Sequence, residues 1–215
     1  MSKQLVAILD YGMGNLHSAR SALEHIDTDI QVEVTSDAEV ISRADRLVFP
    51  GVGAMRDCMA EIRRLGFDQL ILEQVKLKPV LAICVGMQAL MVQSSENNGV
   101  QCIGKFDGEV VQFDTQARDL QGNRLKVPHM GWNRVKQLAH PMWHQINADE
   151  RFYFVHSYYT KPVQSAQIFG TTFYGMEFAS VLAQENLFAV QFHPEKSQHA
   201  GLQLLRNFLQ WNGEL

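Results

Sequence analysis

The sequence predicts an α/β fold: a central, mostly parallel sheet flanked by helices, with an antiparallel β-rich extension in the second half. Three observations predict it. Short unbroken apolar runs at residues 5–9, 47–49 and 80–83 suit strands buried on both faces. Stretches with helical spacing separate them, which implies parallel strands joined by covering helices. After Asn97-Asn98-Gly99 the helical spacing gives way to short β-rich pieces.

In chain order, the strand at 5–9 ends in Asp10-Tyr11-Gly12-Met13-Gly14-Asn15, a glycine turn opening a helix over about 15–25 with Leu16, Ala19, Leu23 and Ile26 at helical spacing. The Gly-x-Gly lacks the third glycine of a dinucleotide fingerprint, so it does not argue for such a cofactor. Residues 31–35 alternate as a second strand, and 36–41 fit a short capped helix. The strand at 47–49 runs into Pro50-Gly51-Val52-Gly53-Ala54, which opens helical spacing over 55–65 and again over 67–77. The strand at 80–83 is followed by helix expected over 88–93. Beyond Gly99, strands are expected at 108–113, 124–127, 133–137, 151–154, 166–174, 181–183 and 187–191. His129 precedes Met130-Gly131-Trp132-Asn133, which reads as an apolar, exposed turn. Residues 197–211 close the chain as a helix with Leu202, Leu205, Phe208 and Leu209 inward. Residues 1–215 read as a single domain, because the candidate nucleophile lies in the first half and its candidate partners in the second.

Composition narrows the function classes. With 46% hydrophobic and 20% charged residues in 215, the chain has the makeup of a soluble globular protein. A formal net charge of −4 gives no electrostatic footprint for nucleic acid or an anionic membrane. No apolar stretch reaches transmembrane length, and Met1-Ser2-Lys3-Gln4 leads into a strand without a signal-peptide layout. Cys58, Cys84 and Cys102 lie far apart with no Cys-x-x-Cys, which argues against a disulfide framework or a zinc ribbon and for a reducing, cytoplasmic setting. Neither a metal nor a cofactor is expected.

The chemistry centres on Cys84-Val85-Gly86. A strand that turns at once into a helix holds its first turn residue in a sharp bend and exposes it at the sheet edge, the geometry of the nucleophile elbow. A cysteine there also faces the positive end of a helix, which favours thiolate. The competing reading of Cys84 is a buried core thiol. A cysteine nucleophile needs a base that a third group holds. Phe192-His193-Pro194-Glu195 offers both: Pro194 stiffens the segment, and Glu195 is placed to accept from the imidazole and set its tautomer. His193 read alone fits a loop histidine at a strand–helix junction better than a base; the combination with an elbow cysteine reverses that order. The Pro50-Gly51-Val52-Gly53 turn offers an N–H from Val52 or Gly53 which, with the Val85 N–H, would make an oxyanion hole. Other histidines compete less well. His156 lies among aromatics and reads as a pocket wall. His140 and His144 have i,i+4 spacing, but Pro141 lies between them with no carboxylate near. His17, His25 and His199 read as surface residues, and Cys58 and Cys102 as core.

Cys84-x-Gly86-x-Gln88 with His193-x-Glu195 resembles the triad class of glutamine amidotransferases. Four further stretches, Asp10 to Leu16, Pro50 to Ala54, Val127 to Asn133 and Tyr153 to Tyr159, resemble the glutaminase subunits of imidazole glycerol phosphate synthases, and the likeness spans nearly the whole chain. The one departure, Val85 where that family often has Leu, leaves the needed backbone N–H in place. The resemblance implies that Cys84 attacks the side-chain amide of glutamine, His193 protonates the departing ammonia and Glu195 orients His193. It implies that Gly53, Gln88, Glu96, Ser157 and Tyr158 hold glutamine. It also implies a heterodimer partner, a cyclase with a (β/α)8 barrel, met through Asn15, Met130, Trp132 and Lys196. That partner uses the ammonia to make imidazole glycerol phosphate and aminoimidazole carboxamide ribonucleotide in histidine biosynthesis. A glutaminase subunit of another biosynthetic amidotransferase is the alternative; Met130-Gly131-Trp132-Asn133 speaks against the one serving vitamin B6 synthesis. A different cysteine hydrolase or stress protein with the same elbow is a second rival, but it would not need the Gln88 and His193-Pro194-Glu195 set; a non-catalytic subunit keeping the fold is the third, and the intact triad argues against it.

Overall fold

In the computed structural model, which describes residues 3–118 and 122–214, the first half alternates strand and helix as the apolar runs require. β1 (Gln4–Leu9), α1 (Leu16–Ile26), β2 (Ile30–Thr35), α2 (Ala38–Arg43), β3 (Arg46–Gly51), α3 (Met55–Arg64), α4 (Phe67–Gln74) and β4 (Val80–Cys84) follow one another. Every residue of β3 and β4 is buried, which is why both read as unbroken apolar runs rather than alternating ones. In α3, the buried Met55, Cys58, Met59 and Ile62 fall at i, i+3, i+4 and i+7, one stripe facing the sheet.

The helix expected over 88–93 is instead α5 (Val85–Ala89) followed by β5 (Met91–Ser94). Met91 and Ser94 are buried while Gln93 faces solvent, and the segment pairs in parallel with the later strand at Phe106–Gln112. Sheet pairing thus overrode local spacing. Next come β6 (Val100–Gln101), β7 (Phe106–Gln112), β8 (His129–Arg134), β9 (Lys136–Gln137), β10 (Arg151–His156), β11 (Tyr158–Pro162), β12 (Ile168–Phe173), β13 (Glu177–Gln184), β14 (Leu187–Val190) and α6 (Gln198–Gln210). The strand expected over 124–127 reduces to an isolated bridge between Arg118 and Arg124. The one expected over 133–137 is split between β8 and β9. Met130 to Asn133, expected as a turn, is part of β8 together with His129. It pairs antiparallel with β10, with His129 buried and Met130 and Trp132 on the outer face.

Among the described residues, twelve strands form one sheet, with the path β2-β1-β3-β4-β14-β13-β11-β7-β5-β6, and β8 and β10 form a second sheet. β2, β1, β3, β4 and β14 run parallel; β13, β11 and β7 continue antiparallel. β14 thus rejoins the parallel core beside β4 after a long excursion. The chain turns back across β1 on passing from β2 to β3. With right-handed crossovers, that reversal puts the helices on both faces and opens a crevice at the C-terminal ends of the strands. α6 packs with α1, and α3 with α4 and α5. In α6 the inward face is Leu204, Leu205, Phe208 and Leu209, with Leu202 only half-buried.

Candidate active site

Sheet register brings the distant segments together. Gly51 at the end of β3 lies opposite Cys84 at the end of β4. On the other side of β4, Val190 lies opposite Ile83, so Gln191 leaves the sheet next to Cys84 and His193 follows two residues later. Cys84 has φ 56° and ψ −112°, a conformation that costs a non-glycine residue roughly 1–3 kcal/mol, and α5 begins at the next residue. Gly86 makes the elbow possible: a β-carbon there would overlap the Phe49 carbonyl. Cys84 is 4% exposed.

His193 is held from three sides. Its N–H donates to the Tyr153 carbonyl (2.9 Å), its carbonyl accepts from Ser197 Oγ (2.6 Å), and its Nδ1 meets Glu195 Oε1 at 2.8 Å. The carboxylate accepts, so Nδ1 carries the proton and Nε2 is the nitrogen left for chemistry. The His193 and Glu195 side chains are 2% and 3% exposed. Burial opposes a charge on His193. The negative charge of the Cys84 sulfur and the Glu195 carboxylate outweigh it, and the imidazole is raised above its usual range. The arrangement thus favours a protonated His193 beside the Cys84 sulfur.

A cavity of about 450 Å³ collects the predicted residues: Val52, Gly53, Cys84, Val85, Gln88 and Glu96 from one side, and Ser157, Tyr158, His156 and His193 from the other. Glu96 Oε2 accepts from the Met55 N–H at the start of α3 (2.9 Å), which fixes the carboxylate at the cavity wall and suits the helix dipole. The 50–53 turn is pinned from beneath. Tyr11 Oη donates to the Pro50 carbonyl (2.8 Å) and Cys58 Sγ to the Val52 carbonyl (3.4 Å), so Cys58 is buried, as expected of core, yet sits directly under the turn. Gly53 has φ +99°, where a side chain would be strained.

Asn15 shares a narrow crevice with His193 and Glu195, and Lys196 lies exposed beside them. Met130 and Trp132 are 62% and 42% exposed, on the outer face of β8. His17, His25 and His199 are exposed, as expected. Among the described residues, no group of three or more His, Cys, Asp or Glu side chains is arranged to hold a metal ion. Sequence reasoning missed Gln191, fully buried with its Nε2 3.8 Å from Cys84 Sγ. The signal was there: one polar residue inside the apolar run Leu187-Phe188-Ala189-Val190-Gln191-Phe192.

An elbow cysteine facing an imidazole that leans on a carboxylate, at the C-terminal edge of a parallel sheet, defines a class: cysteine-dependent acyl-transfer enzymes on an open α/β sheet. A family model described as glutamine amidotransferase class-I matches residues 7–211. Imidazole glycerol phosphate synthase subunit HisH of Pseudomonas putida is 60% identical over 98% of this chain and 99% of its own length. The protein of the same name from Acinetobacter baylyi is 57% identical over 96% and 98%. Among solved structures, PurLQS from Thermotoga maritima superposes with a TM-score of 0.71 at 17% identity, covering 97% of this chain and 98% of that one. A crystal structure of a glutamine amidotransferase gives 0.69 at 16%, covering 95% and 97%; both likenesses speak to the fold alone. The chain belongs to the class-I glutamine amidotransferase family and, within it, to the group of HisH subunits.

Proposed function

We propose that Cys84, His193 and Glu195 carry the glutaminase reaction of this chain, which is the glutaminase subunit of an imidazole glycerol phosphate synthase in histidine biosynthesis. Cys84 Sγ bonds to the side-chain amide carbon of glutamine, and the carbonyl π pair moves onto oxygen. The Val85 N–H, with that of Val52 or Gly53, stabilises this oxyanion; one such donor is worth about a hundredfold to a thousandfold in rate. As the C–N bond breaks, His193 gives its Nε2 proton to the departing nitrogen, and ammonia leaves. The neutral imidazole then takes a proton from water, whose oxygen attacks the thioester. Glutamate departs and Cys84 is again a thiolate beside an imidazolium. Glu195 keeps the proton-bearing Nδ1 turned away throughout.

Gly53, Gln88, Glu96, Ser157 and Tyr158 hold the substrate. The Glu96 carboxylate suits the α-ammonium, and hydroxyls and amides suit the α-carboxylate. Like its relatives, the chain works as one subunit of a complex. Its partner is a cyclase built as a (β/α)8 barrel, met through Asn15, Met130, Trp132 and Lys196; two exposed apolar side chains on one strand face are the anchors such an interface uses. We read residues 1–215 as one domain, supported by a cavity lined from both halves. We assign it to the cytoplasm, supported by three buried, unpaired cysteines.

The observation that carries the reading is that His193, paired with the buried Glu195 at 2.8 Å, lines one cavity with the strained Cys84. Glutamate and ammonia release from glutamine, assayed with and without added cyclase, tests it. Turnover stimulated by the cyclase is expected. No ammonia under either condition would leave a non-catalytic subunit.

A further inference from the structure

One line of hydrogen bonds runs from β8 to the sulfur of Cys84, and its polarity is fixed along its whole length. Asn133 donates through Nδ2 to the Phe173 carbonyl (2.9 Å), and its Oδ1 accepts from the Arg134 N–H (2.8 Å), so the main chain sets its amide orientation. Its Nδ2 also lies 3.2 Å from His129 Nε2. His129 Nδ1 lies 2.9 Å from His156 Nε2, and His156 Nδ1 lies 2.7 Å from the Tyr158 carbonyl. A carbonyl only accepts, so His156 carries its proton on Nδ1 and accepts at Nε2. His129 then carries its proton on Nδ1 and accepts from Asn133. Burial lowers both imidazoles, to about 4 for His129 and about 3 for His156, which keeps the pair neutral as this pattern requires.

The line continues beyond Tyr158. Gln88 Nε2 donates to the same Tyr158 carbonyl (2.9 Å) and to Gln191 Oε1 (2.9 Å). Both of its amide hydrogens are thereby used. Gln191, with its oxygen committed to Gln88, presents Nε2 to Cys84 Sγ at 3.8 Å. A donor facing the sulfur stabilises a thiolate, whereas an acceptor would repel it.

We propose that His129 and His156 are positioning residues for the glutaminase reaction: they hold the Tyr158 carbonyl in the place from which it orients the Gln88 amide, and through Gln88 they keep the Gln191 N–H aimed at the Cys84 sulfur. This rests on Cys84 being the nucleophile. It also gives the partner-facing strand a material link to the reacting atom, since Met130 and Trp132 lie on the outer face of the same strand that carries His129 inward.

Two substitutions separate positioning from packing. His156→Phe keeps a ring among Phe113, Phe154 and Phe178, which lie 5.2, 5.6 and 5.4 Å from the imidazole, but donates nothing to Tyr158. His156→Asn leaves a void but offers Nδ2–H where Nδ1–H sits. Both are made in the full chain, and the rate of Cys84 alkylation by iodoacetamide is followed by peptide mass, beside kcat and KM for glutamine with the cyclase present. His156→Phe is expected to be the more thermally stable of the two. It is nonetheless expected to lose about tenfold in alkylation rate and kcat, the scale of one hydrogen bond, with KM changed less. His156→Asn is expected to recover most of that rate. A wild-type rate in His156→Phe, or rates that follow stability instead, would overturn the proposal. Should neither fold, Asn133→Asp serves: it removes the outer donor, a slower alkylation supports the proposal, and an unchanged one overturns it. If Cys84→Ser keeps glutaminase activity, the nucleophile assignment fails instead; if it is inactive while His156→Phe behaves as wild type, only the present inference fails.

Discussion

The parallel half and the antiparallel half build their shares of the cavity by different means. On the parallel side, the functional groups are held by the main chain: Cys84 by a strained elbow, and the Val85 and Gly53 N–H groups by the backbone that carries them. On the other side, side chains do the holding: Glu195 holds the His193 ring, Ser197 holds the His193 carbonyl and the Tyr153 N–H, and His129 holds His156. Main-chain positioning is rigid but shares its stability with the fold. Side-chain positioning is adjustable and separable from it. Substitutions in the first half should therefore damage folding and catalysis together, and those in the second should divide the two.

The largest effect tests the shared centre. Cys84→Ser keeps the size of the residue and, if Cys84 is the nucleophile, is expected to lower kcat for glutamate release on the order of ten thousandfold or more, since a serine hydroxyl is a far weaker nucleophile than a cysteine sulfur. Retained turnover would remove the elbow from the chemistry. Next, Glu195→Gln belongs to the side-chain half. Its oxygen no longer carries the charge that fixes Nδ1–H, so kcat is expected to fall about a hundredfold or more while melting temperature and KM stay near wild type. A parallel collapse of folding would erase the contrast between the halves. Gly86→Ala is the counterpart on the main-chain side. The new methyl meets the Phe49 carbonyl, so urea unfolding is expected to show a loss of about 3 kcal/mol, at the upper end for overpacking, with activity falling in step.

The same contrast explains what the sequence disclosed. The elbow was legible because its determinants are local: an apolar run, a cysteine and a glycine within seven residues, from Val80 to Gly86. His193-Pro194-Glu195 was legible because its two functional side chains are two residues apart. β5 was misread as helix because its strand state depends on pairing with β7, a contact invisible in a window around Met91. The β8 segment read as a turn because Met130 and Trp132 are exposed apolar residues, and only pairing with β10 makes that alternation a strand. The line from Asn133 to Gln191 joins four separate stretches, 129–133, 156–158, 88 and 191, and no spacing rule links them. Single polar residues inside apolar runs, such as Gln191, are the trace such networks leave.

The smallest effect is a tilt of stability with pH, and it too should separate the halves. His129, His140 and His156 are buried in the antiparallel region, and burial lowers them to about 4, about 4 and about 3. Each is neutral in the fold but takes a proton near pH 6.5 once unfolded. Their contribution is therefore complete above pH 6.5 and is lost as pH falls toward 4, at about 1.4 kcal/mol per pH unit for each proton taken up on unfolding. His193, raised instead, works in the opposite sense: its contribution is present below pH 6.5 and fades as pH rises, so it adds nothing to the acid loss. His17 and His25 of the parallel half are exposed. Amide hydrogen exchange between pH 6.5 and 4.5, corrected for intrinsic rates, should thus quicken first in β8, β10 and the one-turn helix Pro141–Trp143, while β1, β3 and β4 keep their protection. His140→Phe should flatten part of that slope, because it removes one of the three protonations. Exchange that accelerates evenly across both halves would mean that the two unfold as one unit, and that the division drawn between them ends at the cavity.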